Sequence, residues 1–542
     1  MLILSIWGCM FQKWNESRIT NNESDPETAL ISTGIYGVVN FDDDDLNGIV
    51  DWFDNQVDLS EDSDVISEED DLAIFTIPAE FIQKMSKTQI LEMTQKSESI
   101  RVYEKKGESW KLLMNSTDDF FSIAKKEEIK DVVLGFEFSD YLQYGDFVLK
   151  LIDNSDGTVV YKWEISAHSS PLMINHHLQP AEMAYSMLDS GMGGNKSFID
   201  GFQKLTNEGT LTTFSLRDYQ YDVWIQDEIE FSVLNSPDSR IDVIIDSIRD
   251  RGLDDVPEDH LLVEDTFIST WGSGWATSQD AFGNLEASPP IFVDGVEYPF
   301  GRAYYGRWDN ERLHAEMRNI LDAQSYQSPV ELDVRFLCVG HVDEYVSFVP
   351  DASSSKGFKM LITDTNSGYD LLESISNFDL PQYRSSKGIS DVNDILSDNA
   401  LRSLNLEIQE DYIEPAVDIF KTEFGLDESD IIRIPMLFEE VTQCYGSTAT
   451  LFPGVVNMLV FTNEDGTGAD LFIPDPFLRS NISNGSEDPL RQAVEQLMPA
   501  GNTVHWVDDW EWYHMALGEV HCGSNVRRTP YGKWWNHTTF FE

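Results

Sequence analysis

The sequence predicts an α/β protein in which an antiparallel β-sandwich precedes a larger mixed domain. Short alternating apolar runs broken by turn residues fill the first part of the chain, and helical and strand periodicities alternate beyond it. Between the two textures lies SAHSSPLMINHHLQP, residues 166–180, which has Ser, Pro and His but no apolar period. The expected boundaries are 1–25 for an N-terminal segment, 26–172 for the sandwich and 173–542 for the mixed domain. At 542 residues there is chain enough for each domain to bury a core of its own.

The opening decapeptide MLILSIWGCM is apolar, but it is too short to span a bilayer and lacks the basic flank of a secretion signal. IYGVVNF, LAIFTI, RVYEKKGESWKLL, DVVLGFEFSDY and FVLKLIDNSDGTVVYKWEI read as strands, with Asp156-Gly157 as a hairpin turn. Residues 39–72 are too acidic to fold by burial alone. Yet Asp42, Asp44, Asn47 and Gly48 set oxygen donors around a turn as calcium loops do, though not at EF-hand spacing. Further on, ERLHAEMRNILDA puts Leu313, Met317, Ile320 and Leu321 on one helical face, while VWIQDEIEF, YVSFVP and VNMLVF read as strands.

A formal charge of −59, from 37 Lys+Arg against 96 Asp+Glu, excludes generic nucleic-acid binding, because phosphates would be repelled. It suits a cationic substrate, bound divalent cations or a saline habitat. No later segment has the length of a membrane span, so a soluble protein without a membrane partner is expected. The four cysteines, Cys9, Cys338, Cys444 and Cys522, show no CxxC and no regular spacing, and each reads as a free thiol.

Four polar stretches stand among the apolar strands of the larger domain. In YDVWIQDEIEF (221–231), an extended strand would point Gln226, Glu228 and Glu230 one way and Asp227 the other. Three oxygen donors in a row call for a cation behind them, or else mark an exposed charged edge. In GHVDEYVSF (340–348), His341 and Asp343 share a strand face and could bind a metal, orient an imidazole, or be incidental. In EVHCGSNVRR (519–528), Cys522 lies in a polar, glycine-containing stretch near two arginines. There a thiolate could be stabilised, although a lone cysteine is more often an inert apolar filler. In VIIDSIRDRGLDDVP (243–257), Asp246, Ser247 and Asp250 could hold a cation, with Arg249 and Arg251 as donors to a substrate. Alone it reads as a polar loop.

Taken together, WIQDEIEF, DSIRDRGL, FGNLEASPP, GHVDEYVSFVP, KGFKMLI, GEVHCGSNVRR and KWWN, in that order, make the chain resemble the protein-arginine deiminases. VNFDDDD and the acidic run into LAIFTI resemble, more loosely, the calcium-rich immunoglobulin-like domain of that family. The resemblance implies a C-terminal α/β propeller with five-fold pseudosymmetry preceded by an immunoglobulin-like sandwich. It implies calcium-dependent hydrolysis of peptidyl arginine to peptidyl citrulline and ammonia.

Carried over motif by motif, Cys522 is the expected nucleophile, His341 the general acid and base, and Asp227 and Asp343 the carboxylates that grip the guanidinium. Those carboxylates should favour a protonated imidazole, and that imidazolium a thiolate. Trp224 would wall the cleft, while Arg249 and Arg251 would hold peptide backbone. One calcium would take Gln226, Glu230, Glu286 and the carbonyls of Phe282 and Leu285; a second would take Glu228, Asp246, Ser247 and Asp250. Further calciums would use Asn40, Asp42, Asp44 and acidic residues among Glu68 to Asp71. Asp250 stands where the family commonly has asparagine, and Ala516 and Leu517 where the vertebrate enzymes carry more polar residues at the substrate entrance. The implied partners are arginine-containing proteins or peptides, with a homodimer compatible. The resemblance leans toward the cytoplasm, and secretion fits equally. Two other readings keep these residues: a deiminase of small guanidines such as free arginine or agmatine, and a calcium-binding interaction protein with a vestigial cleft.

Overall fold

The computed structural model describes residues 32–41, 65–66, 71–95, 100–107, 109–114, 120–124, 130–237, 239–263, 265–375, 378–444, 446–530 and 532–537. The expectations for the segment 1–25 and for Cys9, Asp42, Asp44, Asn47, Gly48 and Glu68 lie outside those residues. The chain forms two compact units. The first is 1–171 with 234–241 and 263–267; the second is 172–233, 242–262 and 268–542.

The smaller unit holds two five-stranded sheets. One runs in the order Ser32–Gly37, Thr158–Ser169, Tyr144–Asp153, Gln89–Gln95, Phe120–Ala124. The other runs Val65–Ile66, Ser109–Met114, Ile100–Lys106, Val132–Phe138, Ala73–Ile77. Pairing is antiparallel except between Ser32–Gly37 and Thr158–Ser169. Alternation explains the shared core: Leu91, Met93, Leu149, Leu151, Trp163 and Ile165 from one sheet meet Phe75, Val102, Leu134 and Phe136 from the other. The Asp156-Gly157 turn closes the longest hairpin, with Thr158 opposite Asp153, and Gly157 takes the φ of +78° that the turn requires. Asn40 and Asp71 are both buried, and the Asn40 amide donates to Glu137 at 2.9 Å.

The larger unit is mixed α/β. Four of its sheets repeat one pattern, a middle strand paired antiparallel on one side and parallel on the other, with helix between the parallel pair. Their middle strands are Ala181–Leu188, Ala303–Arg307, Phe358–Asp364 and Ala469–Pro474. In the first, the antiparallel partner is Ser524–Arg528 near the other end of the chain, and this pairing carries the Cys522 loop to the start of the unit. The helix expected around 311–323 spans Ala315–Gln324 and buries Met317 and Leu321. Leu313 is also buried but precedes the helix, and His314 caps its N-terminus by accepting from the Glu316 amide. Among the described residues no helix is long and apolar enough to cross a membrane.

Leu361, fully buried in the middle strand Phe358–Asp364 between Ser347 and Ile432, belongs to the main core of this unit. Leu361→Ala should cost about 3 kcal/mol through lost transfer energy and the cavity left behind. Denaturant unfolding of this unit checks it, and a cost below about 1 kcal/mol would mean that the site collapses around the smaller side chain.

Two of the four cysteines are not free thiols. Cys338 and Cys444 form a disulfide across 106 residues of sequence, with Cα atoms 5.6 Å apart. The bridge between Leu337 and Thr448, and the bond from the Cys338 amide to the Thr448 carbonyl (2.7 Å), bring the two segments together. Spacing along the chain carries no trace of that contact. Cys522 is free and buried.

Candidate active site

YDVWIQDEIEF is not one extended strand. It makes a helical turn, Ile225–Glu228, before the strand Ile229–Asn235. The Asp222 carboxylate accepts from the Trp224 amide (3.1 Å) and the Trp224 carbonyl from the Asp227 amide (3.1 Å), and these bonds wind the chain. The turn sends the acidic residues three ways. Gln226 donates to Glu230 at 2.9 Å, Glu228 faces Asp246, and Asp227 faces His341. The three donors expected on one face are therefore divided.

His341 and Asp343 are likewise not on a strand. They belong to a 3-10 turn, Val342–Glu344, capped by His341, in which the Glu344 carboxylate accepts from the amides of Gly340 (3.0 Å) and His341 (2.9 Å). The His341 ring is wholly buried. Its Nε2–H donates to the Ser278 carbonyl at 2.9 Å, which leaves Nδ1 3.4 Å from Asp227 Oδ1. Gly283 closes this corner: a Cβ there would lie 2.8 Å from His341 Nδ1, 3.1 Å from Asp343 Oδ2 and 3.2 Å from Asp227 Oδ1.

Cys522 enters from the loop before the strand Ser524–Arg528. Asn457 Oδ1 accepts from the amides of His521 (3.0 Å) and Cys522 (3.3 Å), and its Nδ2 lies 3.3 Å from the sulfur. Sγ is 3.6 Å from Asp343 Oδ2, which also accepts from His521 Nδ1 at 2.9 Å. Burial first, then Asp343 and Asp227, push the thiol well above its ordinary range. This differs from the expected resting thiolate, because the nearest charges to the sulfur are carboxylates, while the His341 imidazole is turned toward Asp227.

Trp224 packs edge-on against Tyr513, and Gly518 lies so close to its indole that a Cβ there would come within 2.3 Å. Arg249 Nη1 and Arg251 Nη1 lie 3.8 Å and 3.6 Å from Asp227 Oδ2, and Arg251 also reaches Asp222 at 3.2 Å. Asp227 therefore already faces two guanidinium groups of the chain itself.

Two clusters fit a hard cation. Around Glu228, both carboxylate oxygens and Asp246 Oδ1 are buried with no hydrogen-bond partner among the described residues. Burial and then the Asp246 charge hold Glu228 up to about 8, and burial, the largest cause, holds Asp246 up to about 7. Asp254 completes the group, and the Ser247 amide donates to the Glu228 carbonyl at 2.9 Å. Asp250 is exposed on the adjoining turn in left-handed backbone, φ 37°. The second cluster joins Gln226, Glu230 and Glu286, with the Phe282 carbonyl 3.3 Å from the Gln226 amide and Leu285 opening the short strand Leu285–Ala287. Glu286 Oε1 is buried without a hydrogen-bond donor among the described residues. The carboxylate oxygens around Glu228 are buried without compensation, which is costly, and a divalent cation is the group that such oxygens accommodate.

Comparison with known proteins decides what the arrangement belongs to. Residues 159–536 match the family model described as protein-arginine deiminase. The chain belongs to the protein-arginine deiminase family. It is 33% identical over 426 residues to human protein-arginine deiminase type-4, covering 74% of this chain and 61% of that protein. To human protein-arginine deiminase type-1 it is 34% identical over 437 residues, covering 76% of this chain and 63% of that protein. The chain thus spans about three fifths of the length of the curated relatives it matches. A solved structure, C. jejuni agmatine deiminase, aligns at 9% identity with a TM-score of 0.35 over 67% of this chain and 98% of that one, too weak a likeness to bear on the fold.

Several residues of this deiminase-family cleft carried no signal of their own in the sequence. Asn457 is an isolated asparagine until the fold sets its amide against Cys522, and Ser278 matters through its carbonyl, which any residue supplies. Asp254 sat in a quoted motif but without a role, and His521 was adjacent to the cysteine without one. His177 lies in a segment that reads only as a domain boundary, yet it reaches Glu286 at 3.4 Å.

Proposed function

We propose that this chain hydrolyses peptidyl arginine to peptidyl citrulline and ammonia, with calcium as activator. The observation that carries the reading is the convergence on one buried corner of a free cysteine, two carboxylates and an imidazole from positions 522, 227, 343 and 341. Guanidinium is planar and permanently charged, so two carboxylates can hold it by paired hydrogen bonds while presenting Cζ to the sulfur. The resting thiol is neutral because burial first, and then Asp343 and Asp227, disfavour its anion. A substrate cation between those carboxylates offsets them and releases the thiol proton to solvent.

Sγ then adds to Cζ. His341, protonated, gives its proton to the departing amine, which leaves as ammonia and forms a thiouronium. Neutral His341 next takes a proton from water as the oxygen adds to Cζ; the C–S bond breaks, the thiolate returns, and the hydroxyl proton leaves to give the ureido group of citrulline. Arg249 and Arg251 are the donors for the peptide carbonyls, and Trp224 is the cleft wall. This favours peptidyl over free arginine.

Calcium, when bound, supplies the charge that neutralises the buried carboxylates flanking Asp227. Glu228, Asp246, Ser247 and Asp250, with Asp254 added, would hold one ion. Gln226, Glu230, Glu286 and the carbonyls of Phe282 and Leu285 would hold another. Both sets include residues of the turn that aims Asp227, so ordering them orders the carboxylate. We read the larger unit as the catalytic five-fold propeller, supported by its four like-patterned sheets, and the smaller as the immunoglobulin-like calcium domain, with Asn40 and Asp71 among its ligands, supported by its two sheets around one core.

Ammonia and citrulline release from an arginine-containing peptide and from free arginine, with calcium and with chelator, tests the proposal. Citrulline in the peptide, at least about tenfold faster with calcium and slower for the free amino acid, is expected. Equal turnover of free arginine would make the substrate a small guanidine. Calcium binding without turnover of either would leave an interaction protein.

A further inference from the structure

Behind the catalytic corner lies a buried cavity of about 20 Å³, lined among others by His177, Glu230, Glu286, His521 and Arg528. That volume holds roughly one water or one ion. His177 Nε2 is 3.4 Å from Glu286 Oε2, and His521 Nε2 is 3.6 Å from Glu286 Oε1, the two imidazoles approaching edge to face at 5.4 Å. One ligand atom from each of the three residues lies within 4.8 Å of the others. This grouping differs in chemistry from the oxygen-only calcium sets, because two of its three donors are imidazole nitrogens.

Each imidazole is also oriented from behind. His521 Nδ1–H donates to Asp343 at 2.9 Å, so the lone pair of the neutral ring is on Nε2 and faces Glu286. His177 has its Nδ1 3.2 Å from the hydroxyl of Ser347, a buried residue, and its Nε2 likewise faces Glu286. Arg528 lines the same cavity, donates to the carbonyls of His177, Gln179 and Val460, and also acts on Glu286 through its charge. Glu286 is 5% exposed, with Oε1 lacking a hydrogen-bond donor among the described residues. Two ring nitrogens and a carboxylate that point inward, held by a carboxylate and a hydroxyl behind, form the His₂Glu donor set of zinc-class ions.

We propose that His177, Glu286 and His521 form a binding site for a zinc-class divalent ion, which excludes calcium from Glu286. The zinc binding stands independently of the deiminase reading, whereas the exclusion rests on the calcium ligands proposed above. Imidazole nitrogen favours zinc, cobalt or nickel over calcium, and Glu286 cannot serve both ions at once. An ion here would also hold His521 from the side opposite Asp343, so occupancy by zinc reaches the catalytic carboxylate through one ring.

Zinc binding to the whole protein, measured by competition with a chromophoric chelator, is expected to be stoichiometric without calcium. It should weaken at least about 100-fold in His177→Gln, since even the loss of an outer partner of a ligand costs 10- to 100-fold. The wild-type affinity should fall as calcium is raised. Cobalt(II) as probe should give visible bands of nitrogen and oxygen ligation, and X-ray absorption on the zinc-loaded wild type should show two imidazoles, which needs no variant to fold. Zinc affinity that is equal in wild type and His177→Gln, or a strong thiolate-to-cobalt band placing the ion on Cys522, overturns the site. Zinc affinity indifferent to calcium overturns the exclusion, and leaves the deiminase reading to its own assay.

Discussion

Cys522→Ser is expected to lower kcat for a peptidyl-arginine substrate by at least about 10⁴-fold, some 5.5 kcal/mol of transition-state stabilisation. The reason lies in how the thiol is set. Burial and two carboxylates already hold it neutral, so in the proposed mechanism the substrate cation has to bring the anion within reach. A hydroxyl starts several units higher, and one guanidinium between Asp227 and Asp343 cannot make up that difference. The Asn457 amide, 3.3 Å from Sγ, can donate to an oxygen as well as to a sulfur, so the loop should keep its place and the variant should fold and bind calcium like the parent. Citrulline formed in a single turnover, followed with calcium saturating, reads the effect. A loss smaller than tenfold would mean that water attacks Cζ directly and that the sulfur is a bystander.

The parts of this site that were legible in the sequence are those where chemistry demands a particular residue type within a short motif. Asp227, His341, Asp343 and Cys522 each stand in such a stretch, and the structure gathers them around Gly283 and Asn457. Local conformation was less legible. Period-2 alternation in WIQDEIEF argued for a strand, but Asp222 caps the Trp224 amide and winds one helical turn, a contact that outweighs four residues of pattern. Contacts between distant segments left no mark at all. The Cys338–Cys444 pair exists because Leu337 bridges Thr448, and His177 meets Glu286 because the fold brings their distant segments to the lining of one cavity. The longest hairpin of the smaller unit was legible because its strands alternate and one Asp-Gly turn sets its register.

Gly283→Ala is expected to lower kcat/KM at least about 100-fold and to cost about 1–3 kcal/mol of stability, because one methyl would crowd fixed side chains and stand where the proposed guanidinium must lie. The added carbon would be 2.8 Å from His341 Nδ1, closer than real Cβ contacts come, and 3.1 and 3.2 Å from the carboxylates of Asp343 and Asp227. None of the three can yield easily. His341 is wholly buried with Nε2 tied to the Ser278 carbonyl, Asp343 accepts from His521, and Asp227 is fixed in a turn braced by Trp224. The backbone itself has no objection, since Gly283 is not at positive φ, so the strain is confined to the side chains and the loss of activity should exceed what the lost stability explains. Steady-state kinetics on a peptide, beside thermal unfolding of the same variant, separates the two. A fall in kcat/KM in a variant that is still folded at the assay temperature places the reacting guanidinium between those three side chains. Parent-like kinetics would show that the space facing Gly283 is not where the substrate sits, and the roles of Asp227 and His341 would have to be sought on another side of Cys522.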